Sequence, residues 1–290
     1  MIAKAELLTK IKKLPTFSTT VIRLSSVLND PDATVGEFES IILPDLALTA
    51  NLLRLANSAF FGLPRRIGSA REAITLLGMK RVFELGAMAA VEAVVPDRLP
   101  GYGIDAASYW CHSVAVAVLS ERLSKNQKLV APALTFTAGL MHDIGKLVIS
   151  QFLTNEQAAL HREMTDNNRS LVECEREMLG ADHCAIGADI ARAWNLPDEV
   201  ARVAAAHHDP DEVNQGKGDV MVDLVHIADC LAHSLGFGAD VGELHRTLRA
   251  AALERLGLKA ADLERVVSRS MSEIEGLAQF SRSASRGGAT

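Results

Sequence analysis

The sequence predicts an all-α protein. Its apolar residues recur at helical spacing, its composition is rich in Ala and Leu, and no stretch alternates cleanly with period two. The balance is globular: 290 residues, 48% hydrophobic and 23% charged. That excludes a disordered or fibrous chain and leaves room for one large domain or two smaller ones.

The elements follow in order. The opening MIAKAELLTKIKKLPTF reads as a basic amphipathic helix without the apolar core of a signal peptide. Asn29-Asp30-Pro31-Asp32 with Thr34 reads as a turn and a helix cap. Leu46-Ala47-Leu48, Leu52, Leu53, Leu55 and Ala56 predict a buried helix. Gly62-Leu63-Pro64 breaks it, and Ala73, Ile74, Leu76 and Leu77 mark another helical face. Two prolines and two glycines between Pro96 and Gly103 predict a boundary between an N-terminal subdomain, 1–100, and a second domain, 101–280. Val114, Val118, Leu119 and Leu123 then share a helix face. Ala185 to Trp194 is amphipathic, Asn195-Leu196-Pro197 turns, and a further helix ends in His207-His208-Asp209-Pro210. The tail 281–290, SRSASRGGAT, reads as disordered.

No run approaches the roughly 18 apolar residues of a membrane span. Four cysteines without a CxxC spacing point to a reducing compartment. A soluble cytoplasmic protein is expected, with no membrane partner. The net charge of −6 argues against sequence-blind nucleic-acid binding.

Chemistry concentrates after residue 100. Residues 1–100 hold no histidine and no cysteine, and all nine histidines follow Tyr109. The centre is Gly139-Leu140-Met141-His142-Asp143-Ile144-Gly145-Lys146. On a helix, Lys146 would share a side with His142 and Asp143. Imidazole suits a divalent transition metal, a carboxylate can bridge two ions, and a lysine one turn on can meet a phosphate. Gly145 would permit a close approach of backbone or ligand. With His112, His183, His207, His208 and Asp229, the set reaches seven ligands, about what two octahedral ions need beside water. Each has a plainer reading. His207 and His208 could cap a helix C-terminus, His183 could lie at the surface near an N-cap, and Lys146 could be solvated. His161, His226, His233 and His245 fall outside the pattern and read as surface or half-buried. Cys111, Cys184 and Cys230 flank ligands and read as packing behind the site.

In this order the residues resemble the HD superfamily of metal-dependent phosphohydrolases. The closer similarity is to HDOD proteins, the HD-related output domains of bacterial signalling. It runs from Leu14-Pro15 through Leu28-Asn29-Asp30-Pro31-Asp32-Ala33, Leu48 to Gly62, and Ala73-Ile74-Thr75-Leu76-Leu77-Gly78 into the HD half, about residues 14–235. Asn57-Ser58-Ala59 is its most specific stretch. The resemblance implies an N-terminal helical subdomain packed on an HD-type helical core. It also implies that His112, His142 and Asp229 bind one ion, that His183, His207 and His208 bind a second, and that Asp143 bridges them. Lys146 matches the phosphate-contacting lysine of HD-GYP cyclic-dinucleotide phosphodiesterases. The Gly-Tyr-Pro signature itself is missing after His208, which argues against cyclic di-GMP hydrolysis. Ser108 stands where some of those enzymes place a glutamate, which disfavours a third ion.

Two functions compete. One is a phosphohydrolase, with Asp143 and Lys146 as its catalytic residues and two divalent ions as cofactors. Iron or manganese is favoured, with zinc, nickel or cobalt compatible with the same donors. The other is a signalling module whose partner is a protein or a small phosphorylated ligand and whose metal is structural. The flanking cysteines prompt a weaker third reading, metal or redox sensing. Charge adds a location. Residues 141–229 carry 7 basic and 17 acidic groups, a net of −10, against +3 for 1–140 and +1 for 230–290. A cation is expected where the acidity is.

Overall fold

The computed structural model describes residues 4–11, 18–28, 30, 32–63, 65–125, 131–238 and 246–279. The tail 281–290, Leu14-Pro15, Asn29, Pro31, Pro64 and His245 lie outside the described residues. The fold is all-α, with one two-stranded pairing among the described residues. The chain divides into two compact units, 16–94 and 1–15 with 95–290. The first helix, α1 (Lys4–Ile11), is part of the larger unit.

The smaller unit holds α2 (Thr19–Leu28), α3 (Val35–Ile42), α4 (Leu46–Ala56), α5 (Ala70–Leu77) and α6 (Met79–Glu92). Side-chain caps set three of the starts. Thr34 accepts from the Glu37 amide, Asp45 from Leu48 and Ser69 from Glu72. Helix α6 is the spine. It packs on α2, α4 and α5, and buries Val82, Phe83, Leu85, Met88 and Val91. Asn57 closes α4 and holds the following loop: Nδ2 donates to the Leu53 and Ile67 carbonyls, and Oδ1 accepts from the Ile67 amide. Asn57 thus ends a helix and pins the loop that follows it. Basic side chains meet carboxylates inside this unit. Arg65 pairs with Glu72, and Lys80 and Arg81 pair with the buried Glu84.

After α1, the larger unit resumes with a hairpin, β1 (Arg98–Leu99) against β2 (Ile104–Asp105). Helices follow: α7 (Ala106–Ser124), α8 (Pro132–Met141), α9 (Lys146–Phe152), α10 (Gln157–Asp166), α11 (Leu171–Leu179), α12 (His183–Ala193), α13 (Asp198–Ala206), α14 (Val220–Ser234), α15 (Ala250–Leu256) and α16 (Ala260–Ala278). Helix α7 is apolar nearly all round, so it sits at the centre, covered by α8, α14 and α16. Helix α1 packs on α9 and α12. No helix of the described residues is long and apolar enough to cross a membrane.

Candidate metal centre

Five elements of the larger unit aim candidate ligands at one buried point. His112 comes from α7, His142 and Asp143 from the turn after α8, His183 from the first position of α12, His207 and His208 from the end of α13, and Asp229 from α14. Six of the seven are at most 5% exposed, and His208 is half-buried.

The His142–Lys146 stretch is not a continuous α-helix. Helix α8 ends at Met141, and the amides of Ile144 and Lys146 bond back three residues to Met141 and Asp143. The reason is packing. A Cβ on Gly145 would lie 1.9 Å from the His183 carbonyl oxygen and 2.7 Å from the Gly187 amide nitrogen. The turn is pressed against α12 where only hydrogen fits. Lys146 still reaches Asp143, Nζ to Oδ2 2.8 Å, and is 1% exposed rather than solvated.

The donor atoms form two sets that meet at Asp143. In the first, His112 Nε2 is 3.1 Å from Asp229 Oδ1 and 3.2 Å from His142 Nε2. His142 Nε2 is 3.4 Å from Asp143 Oδ2. In the second, His183 Nε2 is 2.9 Å from His208 Nε2, and Asp143 Oδ1 lies 3.4 Å from His183 Nε2 and 3.5 Å from His207 Nε2. Ligands on one ion with bonds of about 2.1 Å stand roughly 3.0–3.4 Å apart in octahedral or tetrahedral arrays. The spacing fits a divalent cation in each set.

Tautomers point the same way. Nδ1 of His112, His142 and His207 donates to the carbonyls of Phe237 (2.7 Å), Gly139 (2.7 Å) and Ala204 (3.0 Å), and Nδ1 of His183 to Glu175 Oε2 (2.7 Å). Each bond leaves the Nε2 lone pair facing inward, the arrangement metal-ligating histidines use. Meanwhile Asp143 Oδ1, Asp229 Oδ1 and His207 Nε2 are buried without a well-formed hydrogen bond among the described residues. Such groups are costly unless a partner is supplied.

Glu175 gave no signal in the sequence, eight residues before His183. It is fully buried, and its carboxylate also accepts from the His183 amide (2.7 Å) and the Tyr102 hydroxyl (2.6 Å). Glu175→Gln should therefore weaken a cation held at the His183 set selectively, by about 10–100-fold in affinity. Metal titration checks this, and an equal loss at the His112 set would contradict it.

Four further residues enter or border the site. His233 lies one turn past Asp229, its Nε2 3.6 Å from Asp229 Oδ1. That i, i+4 spacing was the available signal. His226 is buried, not at the surface, because α14 is covered on all faces. Its Nδ1 meets the His207 carbonyl (2.7 Å), and its Nε2 accepts from the Arg249 amide (3.1 Å). Arg246, which no spacing marks, ion-pairs with Asp229 Oδ2. Burial pulls it down to about 10, so it is still a cation at neutral pH. Cys184 does not pack behind the site. Its Sγ is 3.6 Å from His183 Nε2, within the group formed by His183, His207 and His208. As the first helical residue, His183 turns its ring back toward Glu175, which brings Nε2 beside the next sulfur. Burial keeps that thiol protonated.

Burial pushes His112 and His207 down to about 3, against an ordinary value near 6.5. Burial alone would raise Asp143, but the Lys146 ammonium and His142 outweigh it and hold the carboxyl well below its usual range. For His183, burial works downward, while Cys184 and Glu175 push it net upward. The lowered imidazoles contribute stability that is complete above pH 6.5 and lost as pH falls toward 3, about 1.4 kcal/mol per unit each. His183 has the opposite sign, and the lowered groups outnumber it. Metal-free protein should therefore lose thermal stability from pH 7 to pH 5, and a flat or rising Tm would contradict this.

The HDOD domain family matches residues 14–210. An HDOD domain protein of unknown function from Geobacter sulfurreducens shares the fold, with a TM-score of 0.72, 24% identity, and 95% of this chain and 96% of that one covered. An uncharacterized protein of Treponema pallidum is 24% identical over 211 residues, covering 70% of this chain and 39% of that one. Ribonuclease Y of Thermus thermophilus is 32% identical over 197 residues, covering 63% of this chain and 28% of that one. The chain thus spans less than half the length of these curated relatives.

Proposed function

The chain belongs to the HDOD domain family, and from that premise we propose that it is a bacterial signalling protein whose centre holds two divalent cations and hydrolyses phosphoesters. Iron or manganese is favoured by the mixed imidazole and carboxylate donors. His112, His142 and Asp229 would hold one ion, His183, His207 and His208 the other, and Asp143 both. The observation that carries this reading is the split of Asp143, with Oδ2 toward His142 and Oδ1 toward His183 and His207. Two bound cations supply an activated water and neutralise phosphoryl oxygens.

The chain's own residues do the rest. Four Nδ1–H bonds fix the imidazole rings in the inward-facing tautomer. Lys146, beside the bridging carboxylate, places a positive charge where a phosphoryl oxygen would gain negative charge. Burial of the ligands excludes bulk water and strengthens both effects. The experiment is metal analysis of protein purified without chelator, followed by turnover on a panel of phosphate monoesters and diesters. Two ions and turnover that Asp143→Ala abolishes are expected.

A second reading has its own support. Lys146 and Arg246 already place cations on Asp143 and Asp229, as a module that signals by protein contact without chemistry could do. Metal-loaded protein with no turnover on the panel would favour it.

A further inference from the structure

A cavity of about 460 Å³ opens beside the centre, in the larger unit. Its wall includes His208 and Asp229 together with Arg176, Arg246, Thr247 and Arg249. Two of the three arginines are engaged elsewhere. Arg176 pairs with Asp182, and Arg249 pairs with Asp209. Arg246 differs. Its side chain is 6% exposed, Nη1 takes the outer oxygen of Asp229, and Nε and Nη2 have no hydrogen-bond partner among the described residues. The Nε–Nη2 edge is the side-on fork of a guanidinium, which matches two oxygens of a phosphate. A buried donor pair without acceptors is costly, so a ligand that supplies two acceptors would be favoured there.

We propose that this cavity takes a small phosphate monoester, of nucleoside monophosphate size, and that the Nε–Nη2 edge of Arg246 grips its terminal phosphate. The inference rests on the dinuclear reading above and deepens it by naming the ligand class. One guanidinium then joins metal ligand and substrate: Nη1 restrains Asp229, and the free edge sets the phosphate next to His208 and Asp229. The carboxylates on the wall, Glu173, Asp209 and Glu212, favour a ligand whose charge is confined to the end at Arg246. The volume suits a compact molecule of a few hundred cubic ångströms. A nucleic-acid strand calls instead for a long groove that tracks its backbone.

The test is calorimetry on manganese-loaded full-length protein with inorganic phosphate, adenosine 5′-monophosphate and a 20-nucleotide RNA, with metal content measured on every sample. Wild type should bind the monophosphate more tightly than phosphate, and the RNA more weakly than either. Arg246→Lys keeps the charge but loses the fork, and should weaken the monophosphate about tenfold. Thr247→Trp, which fills the cavity from an exposed wall position outside the metal ligands, should weaken the monophosphate but not inorganic phosphate. If Arg246→Lys loses metal, Thr247→Trp carries the test alone. Unchanged affinity in both variants, no monophosphate binding by wild type, or tighter binding of the RNA would overturn the proposal. Metal content separates the failures. Wild type without two ions sinks the centre, whereas two ions with undiminished affinity in Arg246→Lys sinks the phosphate anchor alone.

Discussion

Asp143→Ala should empty both halves of the centre and remove phosphoesterase activity altogether. The Asp143 carboxylate faces both imidazole sets, so its loss would take a ligand from each proposed ion at once. Removing His112 or His183 instead takes a ligand from one. The substitution also strips a buried lysine of its nearest carboxylate. Lys146 is 1% exposed and 2.8 Å from Asp143. Breaking such a pair on one side costs about 3 kcal/mol or more. Metal analysis and denaturant unfolding of the same sample read both effects. Asp143→Asn, which keeps the volume, should recover part of the stability and little of the metal. Full metal occupancy in Asp143→Ala would show that the carboxylate bridges nothing.

The second large effect belongs to Gly145. Its φ is −61°, so any residue could adopt the backbone conformation, and the constraint is purely one of space. Alanine would press its Cβ into the His183 carbonyl and the Gly187 amide. Both are backbone of α12, and neither can swing aside as a side-chain tip would. The turn and α12 must separate, and His183 must move away from Asp143. We expect a loss of about 3 kcal/mol, roughly 10 °C in Tm, together with depletion of the second ion. A Tm within a degree or two of wild type would show that the contact relaxes at little cost.

Much of the candidate site was legible because its His and Asp residues are local exceptions to their surroundings. His142-Asp143 sits at the end of an apolar helix, and His207-His208 ends another. Periodicity marks such helices, and a polar pair at their ends stands out. The helical class followed from the same periodicity, with Thr34 as a visible cap. What sequence spacing does not carry is what the fold brings in from the side. Glu175 reaches His183 because α11 packs on α12, Tyr102 from the hairpin meets Glu175 in turn, and Arg246 reaches Asp229 from the segment after α14. Their partners are set by tertiary packing rather than by helical register. His233 was readable, one turn after Asp229, but a histidine at that spacing is equally a core residue until the neighbouring ring of His112 is seen. The turn at Gly145 shows the converse. The sequence correctly singled out a place for close approach, while the element around it is a tight turn rather than a helix, because α12 lies too near for a full helical turn.

The most direct measurement is the metal stoichiometry of the wild-type protein, prepared without chelator and loaded with iron or manganese, and read by elemental analysis against protein concentration. Two ions per chain, falling toward none in Asp143→Ala and toward one in Glu175→Gln, are what the shared carboxylate and the anchored His183 predict. A wild type that takes up no ion, or a single ion that survives the loss of Asp143, would contradict a dinuclear centre built on that carboxylate.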